Sequence, residues 1–328
     1  MAEAAPLVAT PGAPVPAGGE AAWFSGAGGA RLRAALFPAI GEPRGSVIVS
    51  PGRTEPIEKY FETVEALAGR GFVVLVHDWR GQGLSYRALA DRTLGHANGY
   101  GEFLADFTAL LGAYETRLPT PWIALGHSMG GCLTLLALAA GETRFAGAIL
   151  SAPMLGLRTA PVPVWLGREI ARFMAGAGRG QQAARSGSTG PEPFEGNIVT
   201  HDRSRHDRFQ AQLAACPDLA LGGLTWGWLD FASRAVRLLQ KGTGARAITI
   251  PVAIVAAGAD RVVDNAGARR VAARVPGARY IEVPGAYHEI LQETDALQPT
   301  FWQEFDALAS KARGDSPPMR RVETPMPL

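Results

Sequence analysis

Residues 126–130 read Gly126-His127-Ser128-Met129-Gly130, and their surroundings constrain this chain more than any other feature. The apolar run Trp122–Leu125 stands before them, and the almost wholly apolar stretch Met129–Ala140 follows. A G-x-S-x-G segment between a buried strand and a buried helix puts its serine on a cramped turn. Side chains at the flanking glycines would clash there, and the hydroxyl is lifted above the end of the sheet. In a chain with 40 glycines the pentapeptide alone could arise by chance; in this setting it marks Ser128 as the candidate nucleophile.

The same rhythm extends along the chain. Short apolar runs at Ser46–Ser50, Phe72–His77, Trp122–Gly126, Ala146–Leu150, Val252–Ala257 and Tyr280–Val283 alternate with segments of helical period. One of these carries Phe103, Phe107, Leu110, Leu111, Tyr114 and Leu118 on a single stripe. Runs apolar throughout suit strands covered on both faces, and strands alternating with helices predict a mostly parallel central sheet flanked by helices. Between Leu157 and about Gln240 the rhythm stops, and within this stretch Gly176–Pro193 is a polar, glycine-rich segment expected to be a mobile or functional loop. We therefore expect a core in two parts, 31–157 and 241–313, interrupted by a mainly helical cap at 158–240, with a disordered tail and lead-in at 1–30 and a disordered tail at 314–328.

Composition removes other classes. The formal net charge is +2, far from the basic excess of a nucleic-acid binder, and no apolar run is long enough to span a bilayer. Cys132 and Cys216 are too few for a disulfide framework, and the first 22 residues carry neither the basic start nor the apolar block of a secretory signal. A cytoplasmic protein is the expectation, without a transmembrane helix.

A serine hydroxyl attacks only when a base takes its proton, and a carboxylate must fix that base. On a sheet of this kind the order along the chain is serine, acid, histidine. Of the six histidines, His77 ends a strand and His127 adjoins the serine, while His96, His201 and His206 precede or fall within the cap. His288 lies in a loop after the last strand and is the candidate base. Asp260, directly after Val252–Ala257, is the candidate acid; Asp264 reads as the N-cap of the next helix. Two main-chain donors for an oxyanion are expected, Met129 just after the nucleophile and Arg53 in the turn Pro51-Gly52-Arg53-Thr54-Glu55.

These segments, with Asp78-Trp79-Arg80-Gly81-Gln82-Gly83-Leu84-Ser85, Gly258-Ala259-Asp260 and His288-Glu289, resemble the α/β-hydrolases, and more narrowly the bacterial lysophospholipases and monoacylglycerol lipases of the serine-aminopeptidase-like branch. The resemblance runs from about Arg31 to Arg313. Within the cap, Gly196–Asp202 and Gly222–Leu229 are similar to the lysophospholipase subgroup, as is Pro51-Gly52 where many monoacylglycerol lipases have His-Gly. It implies an α/β-hydrolase fold and hydrolysis of a fatty-acyl ester on glycerol, with no metal or cofactor. A monoacylglycerol lipase or short-chain carboxylesterase would share every catalytic residue. A proline-iminopeptidase-like enzyme would need an acidic amine site, and a non-catalytic binding protein would lack part of the triad. Gly52, His127, Trp165, Phe173 and Trp226 are the candidate substrate contacts.

The small charge excess is carried by the cap. Residues 158–240 hold ten arginines, no lysine and seven acidic residues. Trp165, Leu166, Ile170, Phe173 and Met174 can form one side of a helix that also bears Arg168 and Arg172. Such a helix either packs on the core and lines the acyl pocket or lies on an anionic membrane surface.

Overall fold

The computed structural model describes residues 3–158 and 162–314. In chain order its principal elements are β1 (Glu20–Ser25), β2 (Arg31–Phe37), β3 (Ser46–Ser50), α1 (Phe61–Ala68), β4 (Val73–His77), α2 (Tyr100–Tyr114), β5 (Trp122–His127), α3 (Ser128–Ala139) and β6 (Phe145–Ser151). There follow α4 (Val164–Met174), β7 (Ala183–Arg185), α5 (Arg203–Ala215), β8 (Leu224–Thr225), α6 (Trp226–Lys241), β9 (Val252–Ala257), α7 (Asn265–Ala272), β10 (Arg279–Val283) and α8 (Pro299–Ala312).

Eight strands form one sheet in the order β1-β2-β4-β3-β5-β6-β9-β10. From β4 to β10 all neighbours are parallel, and β1 and β2 join antiparallel at one edge. Alternate residues of the buried strands serve opposite layers. Ile48, Leu75, Ala124, Leu150 and Ile254 pack with α2, α3, α6 and α7. Val47, Val49, Val74, Val76, Ile123, Leu125 and Val255 pack with α1 and α8. This explains runs that are apolar throughout: both faces are covered. Strand order reverses at β3, whose neighbours are β4 and β5, and Ser50 pairs with Gly126 at the carboxyl ends. A crevice opens at such a switch point in an open parallel sheet, and the turns after β3 and β5 meet there.

Residues 3–30 are ordered, contrary to the expectation of a disordered tail and lead-in at 1–30. Beyond β1, the Ala5 N–H donates to Ala21 O and the Trp23 N–H to Glu3 O, both at 2.9 Å. The reason lies beneath it. Arg33, fully buried in β2, binds Glu58 through both terminal nitrogens and Asp78 through Nε, each at 2.8 Å. The Pro6 carbonyl accepts from Arg33 Nη1 and the Val8 N–H donates to Glu58. Buried charges need such partners, and the N-terminal segment supplies some of them. Of the expected tail at 314–328, all but Gly314 lies outside the described residues.

Between β6 and β9 the helical segment is interrupted by the two-stranded ribbon of β7 and β8, so part of the expected loop at 176–193 is strand. Its last helix, α6, joins the main core: Phe231 meets the Phe103 ring at 5.0 Å, and Trp228, Ala235 and Leu239 are buried in the same cluster as α2 and α3. By packing, this part of 158–240 belongs with the core.

Candidate active site

Ser128 has φ +48°, a left-handed conformation that few non-glycine residues adopt. The surroundings enforce it. A side chain at Gly130 would overlap the Ser50 and Pro51 carbonyls, and one at Gly126 would overlap Gly131. The strand can therefore turn at once into α3, with the serine at the bend.

From there the three candidates converge. The Ser128 hydroxyl lies 2.9 Å from His288 Nε2, and His288 Nδ1–H donates to Asp260 Oδ2 at 2.7 Å. The other Asp260 oxygen accepts the Val262 and Val263 N–H groups at 2.7 and 2.9 Å. Burial pushes the Asp260 pKa upward, but the His288 hydrogen bond and charge and these two N–H groups hold it below the ordinary value. Asp260 is thus an anion that fixes one face of the imidazole and leaves the other to take a proton from Ser128. Asp264 instead caps α7, accepting the Ala266 N–H.

The turn after β3 is held by side chains on both sides of Arg53. Gln82 donates to Gly52 O at 3.0 Å and accepts the Thr54 N–H at 2.9 Å, while Glu55 accepts the Gly52 N–H at 2.6 Å. Thr54 is itself left-handed, with φ +69°. Among the described residues, neither the Arg53 N–H nor the Met129 N–H donates to a protein acceptor. For Met129 this follows from its place in the first turn of α3, where N–H groups have no partner inside the helix. Two donors beside an activated hydroxyl can stabilise negative charge developing on a carbonyl oxygen.

Glu55 anchors a buried network below this turn. It accepts from the Tyr60 hydroxyl at 2.6 Å and from Lys59 Nζ at 3.0 Å, and Lys59 also reaches Glu289, beside His288, at 2.5 Å. Burial alone would raise the Glu55 pKa; Lys59, His127 and the Tyr60 hydrogen bond bring it down to about 2. The histidine loop is gripped from the cap as well. Glu289 N–H donates to Val199 O, Thr200 Oγ1 donates to Gln292 O, and Glu293 accepts from both the Tyr287 and the His201 N–H groups. Glu55, Lys59, Gln82 and Glu293 had no role in the sequence reading. Glu55 and Gln82 stand in recognised motifs, but nothing in the spacing tells that Gln82 binds main-chain groups about thirty residues earlier or that Glu55 anchors Gly52, Lys59 and Tyr60.

The candidate substrate contacts divide. Gly52 is a spacer: its N–H is spent on Glu55, and a side chain there would meet the Glu55 carboxylate and the His127 ring. His127 is buried, donates through Nδ1 to Ser151 O at 3.1 Å, and lies 4.9 Å from the His288 ring. Burial keeps its pKa low. Trp226 is half-buried at the start of α6. Trp165 and Phe173 depart from the expectation, being 62% and 72% exposed on α4. Only Ala171 of that helix is buried; α4 packs against α6 and leaves its large apolar side chains exposed.

Comparison with known proteins agrees with this architecture. Residues 41–295 match the family model described as serine aminopeptidase, S33. The chain is 35% identical over 264 residues to lysophospholipase L2 of Escherichia coli K12, covering 77% of this chain and 76% of that protein. It is 28% identical over 279 residues to monoacylglycerol lipase of Mycolicibacterium smegmatis, covering 83% and 91%. Among solved structures, a soluble variant of monoglyceride lipase from Saccharomyces cerevisiae superimposes with TM-score 0.69 at 18% identity, over 88% of this chain and 94% of that one.

Proposed function

The chain belongs to the serine aminopeptidase S33 family, and we propose that it is a serine hydrolase cleaving the fatty-acyl ester of a glycerolipid, a lysophospholipid in the first place. The observation that carries this reading is the continuous relay from the Ser128 hydroxyl through His288 to Asp260, at 2.9 and 2.7 Å, beside two unspent main-chain N–H groups. Ser128 Oγ attacks the acyl carbonyl as His288 takes its proton. The Met129 and Arg53 N–H groups hold the oxyanion, and the imidazolium rests against the Asp260 carboxylate. His288 then protonates the departing glycerol oxygen. Water, deprotonated by His288, releases the fatty acid from the acyl-enzyme.

The relative named lysophospholipase L2 supports a lysophospholipid as substrate. The relative named monoacylglycerol lipase favours a second reading, in which the alcohol is free glycerol. One panel separates them: lysophosphatidylcholine, lysophosphatidylethanolamine, a long-chain monoacylglycerol and a nitrophenyl ester series, each with the wild type and Ser128→Ala. Faster turnover of the lysophospholipids supports the first reading; monoacylglycerol turnover alone supports the second.

The outward face of α4 suits peripheral contact with an anionic membrane. Val164, Trp165, Leu166, Ile170 and Phe173 are exposed, and Arg168 and Arg172 lie beside them, sharing the single carboxylate of Glu169. No helix among the described residues is long and apolar enough to cross a membrane, so contact of this kind would be at the surface.

A further inference from the structure

Arg53 joins the candidate active site to a cavity that the reaction described above does not use. Its main chain sits on the turn that abuts the start of α3, while its side chain forms part of the wall of a cavity of about 310 Å³. The opposite wall comes from the cap: Arg185 in β7, Ser186, Ser188 and Thr189 after it, and Phe209 in α5. Arg53 is held there by main-chain carbonyls and not by a carboxylate. Its Nη2 donates to Gly222 O and Gly223 O at 2.5 and 2.7 Å, its guanidinium lies 5.4 Å from the Trp228 ring centre, and its Nε is buried without a partner.

Neither Arg53 nor Arg185 forms an ion pair among the described residues. Glu192 is the single carboxylate in the lining and is paired with neither. Burial, and then the nearby Arg185 charge, draw the Arg53 pKa down to about 10. Arg33, a fully buried guanidinium, is by contrast matched by the carboxylates of Glu58 and Asp78. Arg53 is thus largely buried without a carboxylate, and the exposed Arg185 brings a second guanidinium to the same cavity, whose lining also includes Ser186, Ser188 and Thr189; such a lining suits an anion.

We propose that this cavity binds the head-group phosphate of a lysophospholipid, with Arg53 and Arg185 as its ligands, while the acyl ester lies at Ser128. The proposal rests on the lysophospholipase reading and deepens it. The covalent lengths are compatible with this placement. From the Arg53 main-chain nitrogen to its guanidinium runs a number of bonds comparable to that from an acyl carbonyl oxygen, across glycerol, to a phosphate oxygen. One residue thereby addresses both ends of the alcohol. Guanidinium suits phosphate because its planar donors can engage two oxygens at once.

The test uses the full chain and substrates with one acyl chain: lysophosphatidylethanolamine, the matching monoacylglycerol and the nitrophenyl ester. Because a charged hydrogen bond is at stake, Arg185→Gln is expected to lower kcat/KM for the lysophospholipid by about ten-fold, mainly through KM, and to change the other two by less than about two-fold. Arg185→Lys recovers part of the loss. Glycerophosphoethanolamine competes with the lysophospholipid on the wild type and less on Arg185→Gln; inorganic phosphate competing equally well would assign the cavity to free phosphate and overturn the proposal. It is equally overturned by unchanged lysophospholipid kinetics in Arg185→Gln, or by equal losses on all three substrates. A wild type that cleaves the nitrophenyl ester but not lysophosphatidylethanolamine defeats the underlying lysophospholipase reading instead, and shows it without any variant.

Discussion

The Glu55 carboxylate accepts the Gly52 N–H at 2.6 Å, tying a buried anion directly to the turn that presents the Arg53 N–H. The same carboxylate meets Lys59, which in turn meets Glu289 next to His288. The turn and the histidine loop are therefore braced against one another through a single ammonium group. Removing one member of such a buried set leaves an uncompensated charge, so Glu55→Ala is expected to cost about 3 kcal/mol of stability in urea unfolding.

Glu55 also makes a pH prediction. Its folded pKa is held down to about 2, below the unfolded value of about 4.3. A depressed carboxylate contributes stability that is complete above the unfolded pKa and is lost as pH falls towards the folded one. Urea midpoints measured from pH 6 down to pH 3 should therefore fall more steeply for the wild type than for Glu55→Gln. Parallel slopes would mean that Glu55 is not held as an anion in this way.

Gln82 should act on the rate without touching substrate. It clamps Gly52 O and the Thr54 N–H on either side of Arg53, and Gln82→Ala frees the turn. Loss of one oxyanion donor is worth roughly 100-fold or more in kcat, and a loosened donor should cost part of that, about ten-fold. The loss should appear in kcat for a soluble nitrophenyl ester with KM little changed; a change confined to KM would place Gln82 in binding instead.

The surface of α4 is tested by separating lipid interface from chemistry. Trp165→Ser with Phe173→Ser, and separately Arg168→Glu with Arg172→Glu, should reduce activity on anionic lysophospholipid-containing vesicles by about ten-fold while leaving a soluble short-chain ester unaffected. Equal losses on both substrates would remove α4 from membrane contact.

Much of this architecture was legible in the sequence because its signals are local. Strands such as Val252–Ala257 are buried on both faces and therefore apolar throughout, and the glycines around Ser128 are required by contacts within a few residues or with the adjacent strand. What was not legible depends on distant partners. Arg33 interrupts the apolar pattern of β2, and only its pairing with Glu58 and Asp78 explains a buried cation there. The Ala-, Pro- and Gly-rich lead-in reads as a tail because its order comes from pairing with β1 and from the Arg33 and Glu58 side chains, not from its own propensity. The outward side of α4 misled in another way: periodicity defines an apolar face but not what covers it. The cap segments Gly196–Asp202 and Gly222–Leu229 stood out by resemblance, yet their part in gripping the histidine loop and the Arg53 side chain emerges only when the chain is folded.

The central claim is that Ser128, activated by His288, forms the acyl-enzyme. Mass spectrometry of the protein after reaction with a long-chain alkyl fluorophosphonate tests it most directly. One covalent adduct is expected, on the peptide containing Ser128 and absent in Ser128→Ala, with lysophospholipid turnover in that folded variant reduced by about 10⁵-fold or more. An adduct on a different residue, or Ser128→Ala turning over substrate at the wild-type rate, would contradict it.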